Sequence, residues 1–123
     1  MAKRLPRRFN CPTEFTLAVL GGKWKTVILC YLKDRPCRYA ELRQLLPALS
    51  DKMLTERLRD LVASGLVARK RLPGRPHSDV HIYTLTARGR SLGALLRDLY
   101  GWGLKHAEMF DVEVGEPLKA LRS

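Results

Sequence analysis

The chain has 123 residues, 46% of them hydrophobic, which is enough for one compact domain around one core and too little for two. Lys and Arg number 23 against 12 Asp and Glu, a formal charge of +11, so an anionic partner is expected. Three cysteines without a CxxC pair argue against a disulfide framework and a structural zinc site, and no apolar run has the length of a membrane span.

The basic excess is uneven. Residues 1–97 carry 20 basic and 7 acidic side chains, whereas residues 98–123 carry 3 and 5, a separation that a mere need for solubility does not produce. Residues 1–10 form a basic arm not followed by the apolar stretch of a secretion signal, so a cytoplasmic location is expected. Residues 11–110 are expected to form the domain, and residues 111–123 a C-terminal tail. The sequence shows no internal repeat.

Pro12 stands where the first turn of a helix tolerates proline, and Phe15, Leu17, Ala18, Val19 and Leu20 continue an apolar helix to Gly21-Gly22. Trp24, Val27, Ile28, Tyr31 and Leu32 predict a second helix over about 23–33, closed by Asp34-Arg35-Pro36. A third covers 39–46 through Leu42, Leu45 and Leu46, and Pro47 ends it because the residue before proline is pushed out of helical geometry. Ser50 is a good N-cap for a fourth, on which Leu54, Leu58, Leu61 and Val62 make an apolar stripe while Lys52, Met53, Glu56 and Arg59 point the other way; Gly65 is the candidate C-cap.

Residues 66–72 and 80–85 are β-patterned and enclose a Pro-Gly-Arg-Pro turn, so they are expected to pair as a two-stranded hairpin. A last helix is predicted from near Thr86, with Leu92, Leu95, Leu96, Leu99, Trp102, His106 and Phe110 on a heptad-like seam that calls for a partner surface. The expected fold class is α+β, mostly α: a winged helix-turn-helix with N- and C-terminal dimerisation helices.

That order of elements is suited to holding duplex DNA. A major groove about 12 Å wide admits one helix, held by a packed stripe while its N-terminal turn and outer face reach the base edges. Ser50, Lys52, Met53, Thr55, Glu56, Arg57 and Arg59 lie on the helix expected to enter it, with Lys52 and Arg59 gripping phosphate and Glu56 able to accept from cytosine N4. Arg69, Lys70, Arg71, Arg75 and His77 lie on or beside the wing, within reach of backbone or minor groove. A basic hairpin alone carries little, since exposed hairpins often use Lys and Arg to protect their edges. Catalysis has no support, because paired carboxylates, a phosphate loop and a nucleophile motif are all missing; Gly21-Gly22-Lys23 lacks P-loop spacing. His77, His81 and Cys37 match no standard metal site, and no cofactor is expected. The alternative is a basic nucleic-acid module of the nucleoid or RNA-binding kind, without sequence preference.

Several blocks in order carry a family resemblance: Cys11-Pro12, Leu20-Gly21-Gly22-Lys23-Trp24, Tyr39-x-Glu41-Leu42, Ser50-x-Lys52-Met53-Leu54-Thr55-x-Arg57-Leu58, Gly65-Leu66-Val67 and Tyr83-x-Leu85-Thr86-x-x-Gly89. Through them the chain resembles the HxlR family of bacterial winged-helix transcriptional regulators, relatives of the MarR group, over residues 11–102. It departs from the family at 77–83, where His-Ser-Asp-Val-His-Ile-Tyr replaces an Arg-Val-Glu-Tyr type of sequence. The resemblance implies a cytoplasmic homodimer on a pseudo-palindromic operator, acting as repressor or activator. Its first and last helices would make the dimer contact, here Phe15, Leu92, Leu95, Leu99, Trp102 and His106.

Cys11 precedes a helix start and follows Arg7 and Arg8, a setting that favours thiolate over thiol. In some members of the family a cysteine at this place senses quinones, electrophiles or oxidants. The resemblance therefore makes Cys11 the candidate redox sensor and an oxidant or small molecule the expected effector. Cys30 is expected in the core, and Cys37 is a candidate resolving thiol.

Overall fold

The computed structural model describes residues 5–71 and 80–115. Helix α1, Pro12–Leu20, starts with Pro12 in its first turn and Cys11 as N-cap. It stops where the Gly21 amide donates to the Leu17 carbonyl at 2.9 Å and Gly22 takes φ +89°, a backbone angle that glycine adopts without strain. Helix α2, Lys25–Asp34, begins two residues later than its periodicity indicates, because Lys23 and Trp24 belong to the turn. Ile28, Leu29, Cys30, Tyr31 and Leu32 are all buried, as befits a helix packed on nearly every side.

Strand β1, Cys37–Arg38, is an addition to the expected hairpin. Helix α3, Tyr39–Leu45, is started by the Arg38 amide donating to the Glu41 carboxylate at 3.0 Å, one arm of a capping box. It ends at Leu46, whose ψ of +63° is not helical, as Pro47 requires. Helix α4, Asp51–Ala63, has the Ser50 cap, its hydroxyl accepting from the Met53 amide at 3.1 Å. It closes in a Schellman turn: Leu66 N–H reaches the Leu61 carbonyl at 3.1 Å, Gly65 N–H reaches Val62 at 3.0 Å, and Gly65 supplies the φ of +79°.

Strands β2, Val67–Arg71, and β3, His81–Leu85, pair antiparallel from Val67 opposite Leu85 to Arg71 opposite His81. β1 pairs on the other side of β3, giving a three-stranded sheet in the order β1-β3-β2. The single helix expected after Thr86 is two. Thr86 caps α5, Ala87–Arg90, and a tight turn at Ser91 and Leu92 redirects the chain into α6, Gly93–His106, followed by a 3-10 turn at Ala107–Phe110. The break lets α5 follow the sheet while α6 packs on α2.

One core joins these elements. Leu42, Leu46, Leu49, Leu54, Leu58 and Leu61 are at most 4% exposed, so each contributes about 1.5–3 kcal/mol of burial and α3 and α4 are locked on their inner faces. Leu96, expected on the partner-seeking seam, is instead inside this core; Leu92 and Leu95 pack against it. No single helix among the described residues is long and apolar enough to cross a membrane.

Candidate nucleic-acid interface

The turn between α3 and α4 is braced by two side chains of α3 that converge on Asp51. Tyr39, the first residue of α3, donates through its hydroxyl to the Asp51 carboxylate at 2.6 Å and lies 3.4 Å from the Thr55 hydroxyl. Arg43, one turn later, donates to the Leu49 carbonyl and pairs with Asp51 at 3.2 Å. Sequence reasoning missed this Tyr39–Asp51–Arg43 group. Its only visible trace is an acidic residue in the first turn of α4, where the helix dipole favours one.

With its inner face sealed, α4 presents Lys52, Thr55 and Arg59 to solvent, and neither Lys52 nor Arg59 makes an ion pair among the described residues. Met53 does not join them: expected outward, it is half-buried and packs against the core, because it lies on the flank that turns inward. Val62 departs the other way, 38% exposed rather than on the buried stripe. Glu56 and Arg57 pair at 3.9 Å, and Asp60 beside them pairs with Lys25 of α2 at 3.7 Å, so this flank of α4 is partly neutralised.

On the hairpin, Arg69, Lys70 and Arg71 are exposed. Successive strand residues face opposite ways, and Arg69, level with Tyr83, faces α4. It shares with Arg59 a groove of about 480 Å³ floored by Leu58, Val62 and Tyr83. The Arg69 guanidinium lies 3.2 Å from His81 Nδ1; since arginine only donates, that nitrogen is the acceptor. Arg75 and His77 lie outside the described residues.

Phe15 on α1 and Leu99 and Trp102 on α6 are about half exposed. Trp102 stacks on half-buried His106 at 4.3 Å between ring centroids and meets Phe110 at 6.2 Å. Cys11 is exposed, and the backbone amides of Glu14 and then Thr13 lower its thiol pKa below the ordinary 9.0. Cys30 and Cys37 are buried, and burial raises both thiols. Cys37 is 1% exposed and donates to the Arg35 carbonyl at 3.6 Å, so as a resolving thiol it would first have to leave the core. No group of three metal-ligating side chains occurs among the described residues.

A helix-turn-helix with its second helix outward, flanked by a basic hairpin, defines a winged helix-turn-helix DNA-binding protein. The family described as HxlR-like helix-turn-helix matches residues 19–111. The chain is 41% identical over 102 residues to the HTH-type transcriptional regulator YkvN of Bacillus subtilis, covering 83% of this chain and 85% of YkvN. Among solved structures it is similar to the redox regulator HypR in its reduced form, with a TM-score of 0.75 and 34% identity over 82% of this chain and 98% of HypR. It is also similar to quinone-bound YodB from B. subtilis, with a TM-score of 0.64 and 33% identity over 77% of this chain and 99% of YodB. The chain belongs to the HxlR-like family and is a helix-turn-helix transcriptional regulator. No catalytic family is indicated.

Proposed function

We propose that the protein binds a pseudo-palindromic operator as a homodimer, with α4 of each subunit in a major groove and the hairpin on the adjacent backbone. The observation that carries this reading is the exposure of Lys52, Thr55 and Arg59 on the face of α4 opposite its buried leucines, with Arg69 across the groove from Arg59. Lys52, Arg59, Arg69 and Arg71 contact phosphate, and Ser50, Thr55 and Glu56 are close to base edges. Arg57, Arg75 and His77 complete the assigned contacts. Phe15, Leu99, Trp102 and His106 form the subunit contact, with Leu92 and Leu95 beneath it; burying half-exposed aromatic rings favours such an association.

Cys11 is the group on which an electrophile or oxidant acts. Its exposure and lowered pKa support this, as does similarity to regulators described as redox-responsive or quinone-bound. A change at Cys11, four residues from Phe15, alters the spacing of the two α4 helices and with it DNA affinity. The cytoplasm is where such a protein meets its operator.

Selection of bound sequences from a random duplex library tests the reading. A two-fold symmetric winner, held about 4–10 kcal/mol more tightly than a scrambled duplex, is expected. Equal, salt-steep binding to both would instead identify a nonspecific nucleic-acid module.

A further inference from the structure

We propose that residues 5–10, ahead of α1, are a third DNA-contacting element that lays Arg7 and Arg8 against backbone phosphates beside the groove that α4 enters; this rests on the DNA-binding reading above.

Two observations mark the path of this segment. The Phe9 ring meets the Phe15 ring edge-on, with centroids 5.4 Å apart. Leu5 and Pro6 line a groove of about 590 Å³ together with Ala18 and Gly21 at the end of α1 and with Arg59 and Asp60 of α4. Residue 9 thus lies beside residue 15, and residues 5 and 6 lie near 18 and 21, so the arm runs back along α1 in the opposite direction. The lengths agree: from Phe15 to Gly21 a helix rises about 9 Å, and four extended residues reach up to about 13 Å. Pro6 biases Leu5 toward extended backbone and leaves no amide seeking a helical partner.

The fold-back brings Leu5 and Pro6 to one flank of the helix assigned to the groove. Arg7 and Arg8 are exposed and make no ion pair or side-chain hydrogen bond among the described residues. The nearest carboxylates on that flank are engaged, Glu56 with Arg57 and Asp60 with Lys25. Two uncompensated guanidinium groups follow directly on Leu5 and Pro6, which share a groove with Arg59, and so add positive charge close to α4. Guanidinium matches phosphate geometry with paired N–H donors. An acidic protein could take the same charge, but the groove that Leu5 and Pro6 share with Arg59 favours the polyanion that α4 itself is assigned to bind.

The test uses the full chain and the duplex won by selection, with binding followed by fluorescence anisotropy over a salt series and mass by light scattering. The parent is compared with Arg7→Ala/Arg8→Ala and with Arg97→Ala/Lys105→Ala, which removes the same charge from α6. The arm variant is expected to stay dimeric, to bind about ten-fold or more weakly at low salt, and to flatten the log–log salt slope by about 0.9 for each phosphate no longer neutralised, with the α6 variant close to the parent. An arm variant that matches the α6 variant overturns the inference, and so does one that binds more tightly, which would make the arm a cover over α4. Weakening that accompanies dissociation of the dimer also overturns it, since the arginines would then act at the subunit contact. A parent that binds no duplex overturns both readings. A parent that binds, is weakened by Lys52→Ala and is unaffected in the arm variant overturns this one alone.

Discussion

The Tyr39 hydroxyl donates a 2.6 Å hydrogen bond to the Asp51 carboxylate, tying the first residue of α3 to the first residue of α4. The two helices therefore share a polar pin at the same end as the Arg43 contacts, while leucines hold their inner faces. Burial of the ring and then the Asp51 carboxylate raise the Tyr39 pKa above its ordinary value, so the hydroxyl stays protonated and remains the donor.

Tyr39→Phe removes the pin and leaves the ring. The loss of stability is expected to be about 1 kcal/mol, the size of a net hydrogen bond, read as a lower urea midpoint at unchanged slope. A midpoint equal to the parent's would mean that the turn is held by packing alone.

Glu41 gives a pH dependence of defined sign. The Arg38 amide is the chief cause of its depressed pKa, with the Arg35 guanidinium acting the same way. The ionised form is favoured in the folded state, so its contribution is present above the ordinary value of 4.5 and is lost as pH falls through the lower folded value. Glu41→Gln is expected to melt below the parent at neutral pH, by under about 1 kcal/mol, with the gap closing below pH 4.5. A gap that is constant with pH would assign the effect to shape rather than charge.

Gly89 sits where α5 touches the end of the helix-turn-helix: a Cβ there would overlap the Leu66 carbonyl oxygen, a backbone atom that cannot swing away. Gly89→Ala is expected to cost about 1–3 kcal/mol. In Gly101→Ala, by contrast, the added methyl meets nothing within 4 Å, and α6 is expected to gain about 0.5–1 kcal/mol. Equal effects at the two sites, measured by denaturant titration, would contradict the close approach of α5 to Leu66.

Cys11 is expected to be alkylated by iodoacetamide ahead of Cys30 and Cys37 in the native protein, with a reaction midpoint below pH 9.0, because it alone of the three thiols is exposed and lowered. Peptide mapping after short labelling reads this directly. Early labelling at Cys37 would show that β1 opens readily and would restore it as a resolving thiol.

Local signals locate most of this fold, because each element boundary that is visible in the sequence has a short-range cause. Ser50 caps α4, Gly65 turns its end, and Pro47 stops α3, all through interactions spanning a few residues. β1 is not legible, since two residues cannot display a period and its pairing partner Tyr83 lies 46 positions away. The turn at Ser91 and Leu92 is hidden because the residues on both sides keep helical spacing, and the close approach of Gly89 to Leu66 just before it is a tertiary contact. On α4 the apolar stripe is right in the middle and wrong at its edges: Met53 turns in and Val62 out because neighbouring elements, absent from a helical wheel, set the width of the buried face. The partners of Tyr39 and the fold-back of the arm depend on tertiary contacts of the same kind.

Entry of α4 into the major groove is tested most directly by dimethyl sulfate protection on the selected duplex, since the reagent attacks guanine N7, an acceptor on the major-groove edge. Two patches of protected guanines are expected about 10 base pairs apart, or a multiple of that, on one face of the DNA, and Lys52→Ala/Arg59→Ala is expected to weaken both together. Tight binding with every N7 still reactive would contradict groove entry by α4 and move the contact to the backbone or the minor groove.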